Sequence, residues 1–365
     1  MVYKICFMKK IQIYAPGGYE QLKLIECPIP DSKKLADDEV LVQIYAAGVN
    51  YADVCVRWGL YASAKKFVGW PITPGFEFSG FVRGKGNKVR HFEIGDSVLG
   101  ITFFGGYSEW IVVKAWQLYA LRSEYKLTME QAAGIPAVFL TAYHALYQNV
   151  VTRPRMNILI HSAAGGVGQA LVQLAHLLNF DITAVVGRSE KVAFVKDILK
   201  AHHVIDKTTE DIWEQAQRIA PKGYDLILDA NGIATLRESY RHLAPMGKLI
   251  IYGFHSMLPR YGGKLTLEHK LKMLWYYLQT PRFNPLFMTN ENKSIITFNL
   301  SFLFFYQELY QQAMDNILKW FKEKKLIAPP IQTYPLEEVA HAHRDIESGT
   351  TQGKLILCMN HNSQV

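Results

Sequence analysis

The chain has 365 residues, more than one core usually holds, so two domains are expected. Apolar residues make up 49% and charged residues 20%, a globular balance that excludes a disordered or fibrous chain. The net charge of +8 favours phosphates, but the basic residues are dispersed, which argues against a dedicated nucleic-acid surface.

The opening residues lack the long apolar core of a secretory signal. MKKIQIYAPGG from Met8 reads as a natural beginning, with residues 1–7 as an extension. Residues 8–127 are β-rich: KIQIY, EVLVQIYAAGV, EFSGFVRG, DSVLGI and SEWIVV are short apolar or alternating runs, several of them separated by glycine turns. From 128 the texture becomes helical, with Thr128 as a cap and Gln131 three residues on. Strands expected at 158–162, 182–186, 203–205, 225–229 and 248–252 alternate with helices at 166–179, 189–200, 209–219 and 234–243. That alternation implies an α/β fold with a doubly wound parallel sheet. A helical insert near 265–279 precedes a last strand at 295–301. The aromatic-rich segments 273–278 and 295–306 fall short of the roughly 18 apolar residues of a membrane span. A helix at 305–323, ending in the solvated basic run 319–325, leads to a tail that reads as helix, turn and strand.

The stretch HSAAGGVG (161–168) sits between the apolar run NILI and a helical pattern. Aligned on G-x-G-x-x-G, it gives Ala163, Gly165 and Gly168, with Gly166 extra. Small residues here let a pyrophosphate reach the backbone and let helix pack on strand, so Ala164, Gly165, Gly166, Val167 and Gly168 are expected to hold a dinucleotide at the helix start. After the second strand comes Gly187-Arg188-Ser189-Glu190-Lys191. Glu190 is the only acid there, and two cations and a hydroxyl flank it. Gly187, Arg188, Ser189 and Lys191 suit a 2′-phosphate, so NADP(H) is expected over NAD(H). Cys6, Cys27, Cys55 and Cys358 stand far apart with no C-x-x-C pair; reduced thiols in a cytoplasmic setting are the expectation. His341 and His343 lie near Asp345 without a visible set of converging metal ligands.

AAGVNYADVCVRWGLY (46–61), TPGFEFSG (73–80), FEIGDSVLG (92–100), GGYSEW (105–110), TAYHAL and HSAAGGVGQALVQLA together resemble the medium-chain dehydrogenase/reductase superfamily. The branch resembled is that of the zinc-free, zeta-crystallin-like quinone oxidoreductases. PRFNPLFMTNENKSIITFNLSFL (281–303) is similar to the vesicle amine transport protein subgroup within it. The resemblance implies a GroES-like substrate and catalytic domain at 1–127, a Rossmann NADP-binding domain at 128–303, and a return segment at 304–365. Zinc-dependent relatives have G-H-E where this chain has Gly75-Phe76-Glu77, and phenylalanine offers no lone pair, so no metal is expected. Glu77 is left to bind backbone or a nearby arginine.

By the same resemblance, Asn50 and Asp53 lie beside the nicotinamide and Tyr61 borders the substrate cleft. Asn50, Tyr51 and Tyr61 are the candidate donors to a developing oxyanion. Thr141, Lys207, Asn231, Gly253, Phe254, Phe298, Asn299, Leu300 and Lys354 are carried over as further cofactor contacts. The activity implied is NADPH-dependent reduction of quinones or α,β-unsaturated carbonyls. A non-catalytic NADP(H)-binding or trafficking protein on the same scaffold stands as the alternative. The apolar strand 295–301 is expected at a sheet edge, pairing with its own copy in a homodimer.

Overall fold

The computed structural model describes residues 6–258 and 263–360; the first five residues of the 1–7 extension lie outside them. The described chain divides into two compact units, residues 6–137, 263–265 and 301–360 in one and residues 138–258 and 266–300 in the other.

The first unit is built on a seven-stranded sheet. Its path runs Ile331–Pro335, Lys354–Cys358, Glu39–Val49, Glu77–Lys85, Ser97–Ile101 and Leu118–Ala120, with Trp110–Lys114 paired to Glu39–Val49. The strand Glu39–Val49 is buried along most of its length, and Val40, Val42 and Ile44 pack with Phe78, Val98 and Leu357 into the core. The tail strand Lys354–Cys358 lies antiparallel to it, with Leu355 opposite Val49. That register brings Lys354, from the last strand, to the point where Glu39–Val49 ends and Asn50 begins. A small two-stranded sheet, Phe7–Gln12 with Lys23–Pro28, completes the strands.

The second unit carries a six-stranded, all-parallel sheet in the order His203–Asp206, Asp181–Val186, Asn157–Ile160, Tyr224–Asp229, Leu243–Ile251, Ser294–Thr297. This is the doubly wound arrangement expected from the alternation of strands and helices.

Two expected elements are shorter. The strand placed at 295–301 spans Ser294–Thr297, and the chain then coils into a 3₁₀ turn at Leu300–Leu303. Its partner strand ends at Ile251, which stands opposite Thr297, so the ladder has nothing further to pair with beyond Phe298. The helix placed at 189–200 is continuous but ends at Ile198 and is irregular, a 3₁₀ turn at Ser189–Lys191 running through 192–193 into a π turn at Phe194–Ile198. The Ser189 hydroxyl there donates to Asp206, at the end of the neighbouring strand.

Candidate functional site

In the first unit, Asn50 ends the central strand and stands at the N-cap of the helix Tyr51–Arg57. Its backbone N–H donates to Asp53 Oδ2 at 2.9 Å, and Asp53 Oδ1 accepts from Gly75 N–H at 2.8 Å. Asp53 thus ties the Asn50 turn to the Gly75–Glu77 segment. Burial pushes its carboxyl up to about 7, against the backbone donors of Asn50 and Gly75 and the Tyr107 hydroxyl, which favour the ionised form.

The Asn50 side chain sits in a charged cluster. Lys354 Nζ donates to Val49 O at 3.0 Å, Asn50 Oδ1 at 2.8 Å and Glu77 Oε1 at 2.7 Å. Asn50 Nδ2 donates to the same Glu77 oxygen at 2.9 Å, and Glu77 Oε2 accepts from Ala137 N–H at 2.8 Å. Lys354 and Glu77 are 3% and 0% exposed, so this ion pair is shielded from water. A cation on one side and a carboxylate on the other leave one orientation for the amide, oxygen toward Lys354 and nitrogen toward Glu77. One of the two Nδ2 protons is used on Glu77. Gly48 makes room for the arrangement: a Cβ there would stand 2.4 Å from Glu77 Oε1. The Glu77 partner is therefore a lysine and backbone rather than an arginine. Lys354, expected at the cofactor, spends its three ammonium protons on Val49, Asn50 and Glu77.

Phe76 is buried beside Ile13, Val56, Ala64 and Ile72, and the Tyr61 ring meets it edge-on at 5.5 Å. Tyr51 packs edge-on to Trp58 at 6.5 Å. Among the described residues no group of three or more His, Cys, Asp or Glu side chains comes together as a metal site. His343 is buried against Arg57 and Tyr107, and its burial, reinforced by the Arg57 charge, holds it well below the usual imidazole range.

In the second unit, Asn157–Ile160 runs into the glycine loop, and the helix Gly166–Leu177 follows with Gly165 as its N-cap. Ser162 adopts a left-handed φ of 55° to turn the chain. A Cβ on Gly168 would lie 2.3 Å from Ser162 O, so only glycine allows this helix to pack so close to the loop. The first-turn N–H groups of Gly166, Val167 and Gly168 have no acceptor within the helix and lie next to Ala164 and Gly165. Asn231 follows the strand Tyr224–Asp229; Asp229 Oδ1 accepts from the N–H of Asn231 at 2.8 Å and of Gly232 at 3.0 Å, and Ser162 Oγ donates to Asn231 Oδ1 at 3.0 Å. The glycine loop and the Asn231 turn are thereby locked together. Gly253 and Phe254 pack on this turn: a Cβ on Gly253 would stand 2.8 Å from Ala230 O. Thr141 lies on the helix Pro136–Tyr143. Phe298 stacks on Tyr252 and meets His144 edge-on, with Asn299 and Leu300 following it out of the sheet.

At the end of Asp181–Val186 three cations share one neighbourhood. Lys191 is buried, and burial first, then the charges of Arg188 and Lys207, hold its ammonium below the usual lysine range. The Lys207 side chain crosses Gly187, where a Cβ would stand 3.1 Å from Lys207 Cε. Glu190 makes a loose 3.8 Å pair with Arg188. Asp206, which sequence reasoning missed, ends the neighbouring strand, and its carboxyl is lowered by hydrogen bonds from Ser189 and Thr208. The Ser189 hydroxyl is thus directed at Asp206. The signal was the acid closing HVID, the second strand after the glycine fingerprint.

Residues 36–123 match the alcohol dehydrogenase GroES-like domain, and residues 199–357 match a zinc-binding dehydrogenase domain. Over 342 residues the chain is 34% identical to the synaptic vesicle membrane protein VAT-1 homolog of Danio rerio, covering 93% of this chain and 68% of that protein. The chain belongs to the medium-chain dehydrogenase/reductase superfamily, with the VAT-1 homologues. The human VAT-1 homolog-like protein is 29% identical over 353 residues, 96% of this chain and 80% of that protein. The crystal structure of a human VAT-1 homolog-like protein superposes with a TM-score of 0.80 at 27% identity, over 98% of this chain and 99% of that one. Escherichia coli quinone oxidoreductase complexed with NADPH superposes with a TM-score of 0.81 at 26% identity, over 96% and 99%. Among the described residues no helix is long and apolar enough to cross a membrane.

Proposed function

We propose that this chain is a zinc-independent, NADPH-dependent reductase of quinones or α,β-unsaturated carbonyls. The observation that carries the reading is the Asn50 amide, held in one orientation by Lys354 and Glu77, with one Nδ2 proton left to offer. The similar E. coli quinone oxidoreductase, complexed with NADPH, supports the cofactor assignment.

The residues present fit the cofactor. At Gly165 a Cβ would meet only Ser162 O, at 3.3 Å, so the loop backbone stands open to a pyrophosphate, and the helix start behind it favours an anion. Arg188, Lys191 and Lys207 supply the positive charge that a 2′-phosphate needs, and Asn231, Gly253 and Phe254 line the carboxyl ends of the strands where ligands bind. NADPH, when bound, supplies the hydride. Asn50 donates its remaining Nδ2 proton to the carbonyl oxygen as negative charge develops there, and its fixed orientation avoids reorganisation at that moment. Lys354 strengthens that donor by polarising the amide oxygen, and Glu77 anchors the nitrogen. Tyr51 and Tyr61 are the candidate hydroxyl proton donors. Asp53 positions Asn50 through its backbone N–H. The polarised amide and the hydroxyls thus take over the oxygen-stabilising task that a metal performs in zinc-dependent members.

We also propose a homodimer through the edge strand Ser294–Thr297. Phe298 N–H bonds inward to Ile251 O, so by alternation the N–H groups of Ile295 and Thr297 face the open edge.

The test is steady-state NADPH oxidation across a panel of quinones and enones, with a chelator present. Turnover that survives chelation is expected. NADPH binding without turnover of any member would overturn the reductase reading in favour of a non-catalytic binding protein.

A further inference from the structure

The aromatic side chains of the first unit are not scattered. Phe76, the residue before Glu77, contacts Tyr61 at 5.5 Å and Phe104 at 5.1 Å between ring centroids. Phe104 meets Phe103 at 4.8 Å, Phe103 meets Phe67 at 5.4 Å, and Phe67 meets Phe302 at 5.6 Å. Phe305 closes on Phe67 and Phe103 at 6.1 and 6.3 Å. The result is a continuous strip of rings, mostly edge-to-face, that starts one residue from the Asn50–Glu77–Lys354 cluster.

Exposure rises along the strip. Phe76 is 8% exposed, whereas Phe67, Phe302 and Phe305 are 40%, 37% and 68% exposed. Burial of the inner rings is ordinary core packing, but three neighbouring phenylalanines left to water are costly, and a contiguous exposed apolar patch marks a binding surface. Lys66 Nζ lies over the Phe67 and Phe302 rings at 5.1 and 5.6 Å and marks the strip's polar outer rim. The strip offers rings and methylene-sized contacts but no row of hydrogen-bond donors. Its ligand is therefore apolar and extended, and the strip's inner end fixes where the ligand's polar head must lie.

We propose that the outer part of the strip, from Phe104 to Phe305, is a tail-binding surface backed at its inner end by the buried Phe76, and that the substrate is a quinone or enone bearing a long alkyl chain. This rests on the reductase reading for the head group, and the tail site can be tested apart from it. Phe67, Phe302 and Phe305 are specificity residues: they hold the tail and take no part in the chemistry.

The experiment uses the full chain with NADPH and a homologous series of 2-alkyl-1,4-benzoquinones and trans-2-alkenals, from one-carbon to long tails. For the unmodified protein kcat/KM is expected to rise with tail length, by up to about fourfold per fully buried methylene. Phe67→Ala and Phe305→Ala, both at exposed positions, should flatten that rise while leaving turnover of the shortest members unchanged. Binding of the same quinones is read in parallel by quenching of tryptophan fluorescence with NADP⁺ present. If nothing turns over but affinity still rises with tail length and the variants flatten it, the reductase reading fails and the tail site stands. A tail-length dependence that is absent, or identical in the variants, overturns the proposal. Dissociation of a dimer by Phe305→Ala with the dependence intact would also overturn it, because the strip would then be covered by a second copy of the chain.

Discussion

Replacing Lys354 by methionine is the sharpest perturbation of the Asn50 cluster. Methionine keeps an unbranched, flexible stem of similar length, so packing is largely retained and the change is electrostatic. It leaves Glu77, at 0% exposure, with only two neutral donors, Asn50 Nδ2 at 2.9 Å and Ala137 N–H at 2.8 Å. Removing one partner of a buried pair costs about 3–5 kcal/mol, because a buried charge is left uncompensated. Glu77→Gln, which strands the ammonium instead, should cost a similar amount. In the double variant neither charge remains. The Asn50 amide is then free to turn its oxygen toward the new side-chain amide, and much of the loss is recovered. The coupling energy of the cycle should therefore be at least about 2 kcal/mol. Because the chain folds as two units, a global unfolding midpoint is a poor reporter. Hydrogen exchange of peptides from Lys354–Cys358 reads the opening of this sheet directly. Single variants that each change protection by less than about 1 kcal/mol, or a cycle additive to within about 0.5 kcal/mol, would refute the buried lock.

The remaining predictions concern pH, cofactor and assembly. Asp53 binds its proton near pH 7 in the fold and near pH 4 unfolded, so stability falls as pH rises from about 4 to about 7, by about 4 kcal/mol, and is flat above; hydrogen exchange at pH 5 and pH 7.5 should show this slope, and Asp53→Asn should remove it. Arg188→Ala should weaken NADPH binding by about tenfold, the value of one charge-assisted hydrogen bond, and leave NADH binding nearly unchanged; equal losses for both in a fluorescence titration would move the 2′-phosphate elsewhere. Thr297→Pro removes an edge-facing N–H while sparing the bonds to Leu243–Ile251, so sedimentation should show a weakened dimer of intact fold; a monomer in the unmodified protein at micromolar concentration would sink the dimer.

What could be read from the sequence is what lies close together along the chain. The parallel sheet follows from strands and helices in alternation, and the glycine loop from small residues within one turn, because both are written in local periodicity. The strand expected at 295–301 runs past the real one because FNLS keeps an apolar alternation, while the end is set by the last residue of a different strand, Ile251. Asp206 is not marked by its local sequence, because the relevance of an acid there depends on Ser189, just past the adjacent strand, turning toward it.

The role of Lys354 is the extreme case. TQGKLIL reads as a strand with a lysine at its start, and nothing nearby suggests a buried charge. The contact to Asn50 spans 304 positions of sequence and exists because Leu355 stands opposite Val49. One slip of that register would turn Lys354 to the other face and pull the cation off the amide. The return of the tail to the first unit's sheet is therefore a chemical requirement as well as a topological one. The fixed positive charge behind the Asn50 amide, to which the proposed function gives the oxyanion, comes from the final strand of the first unit's sheet.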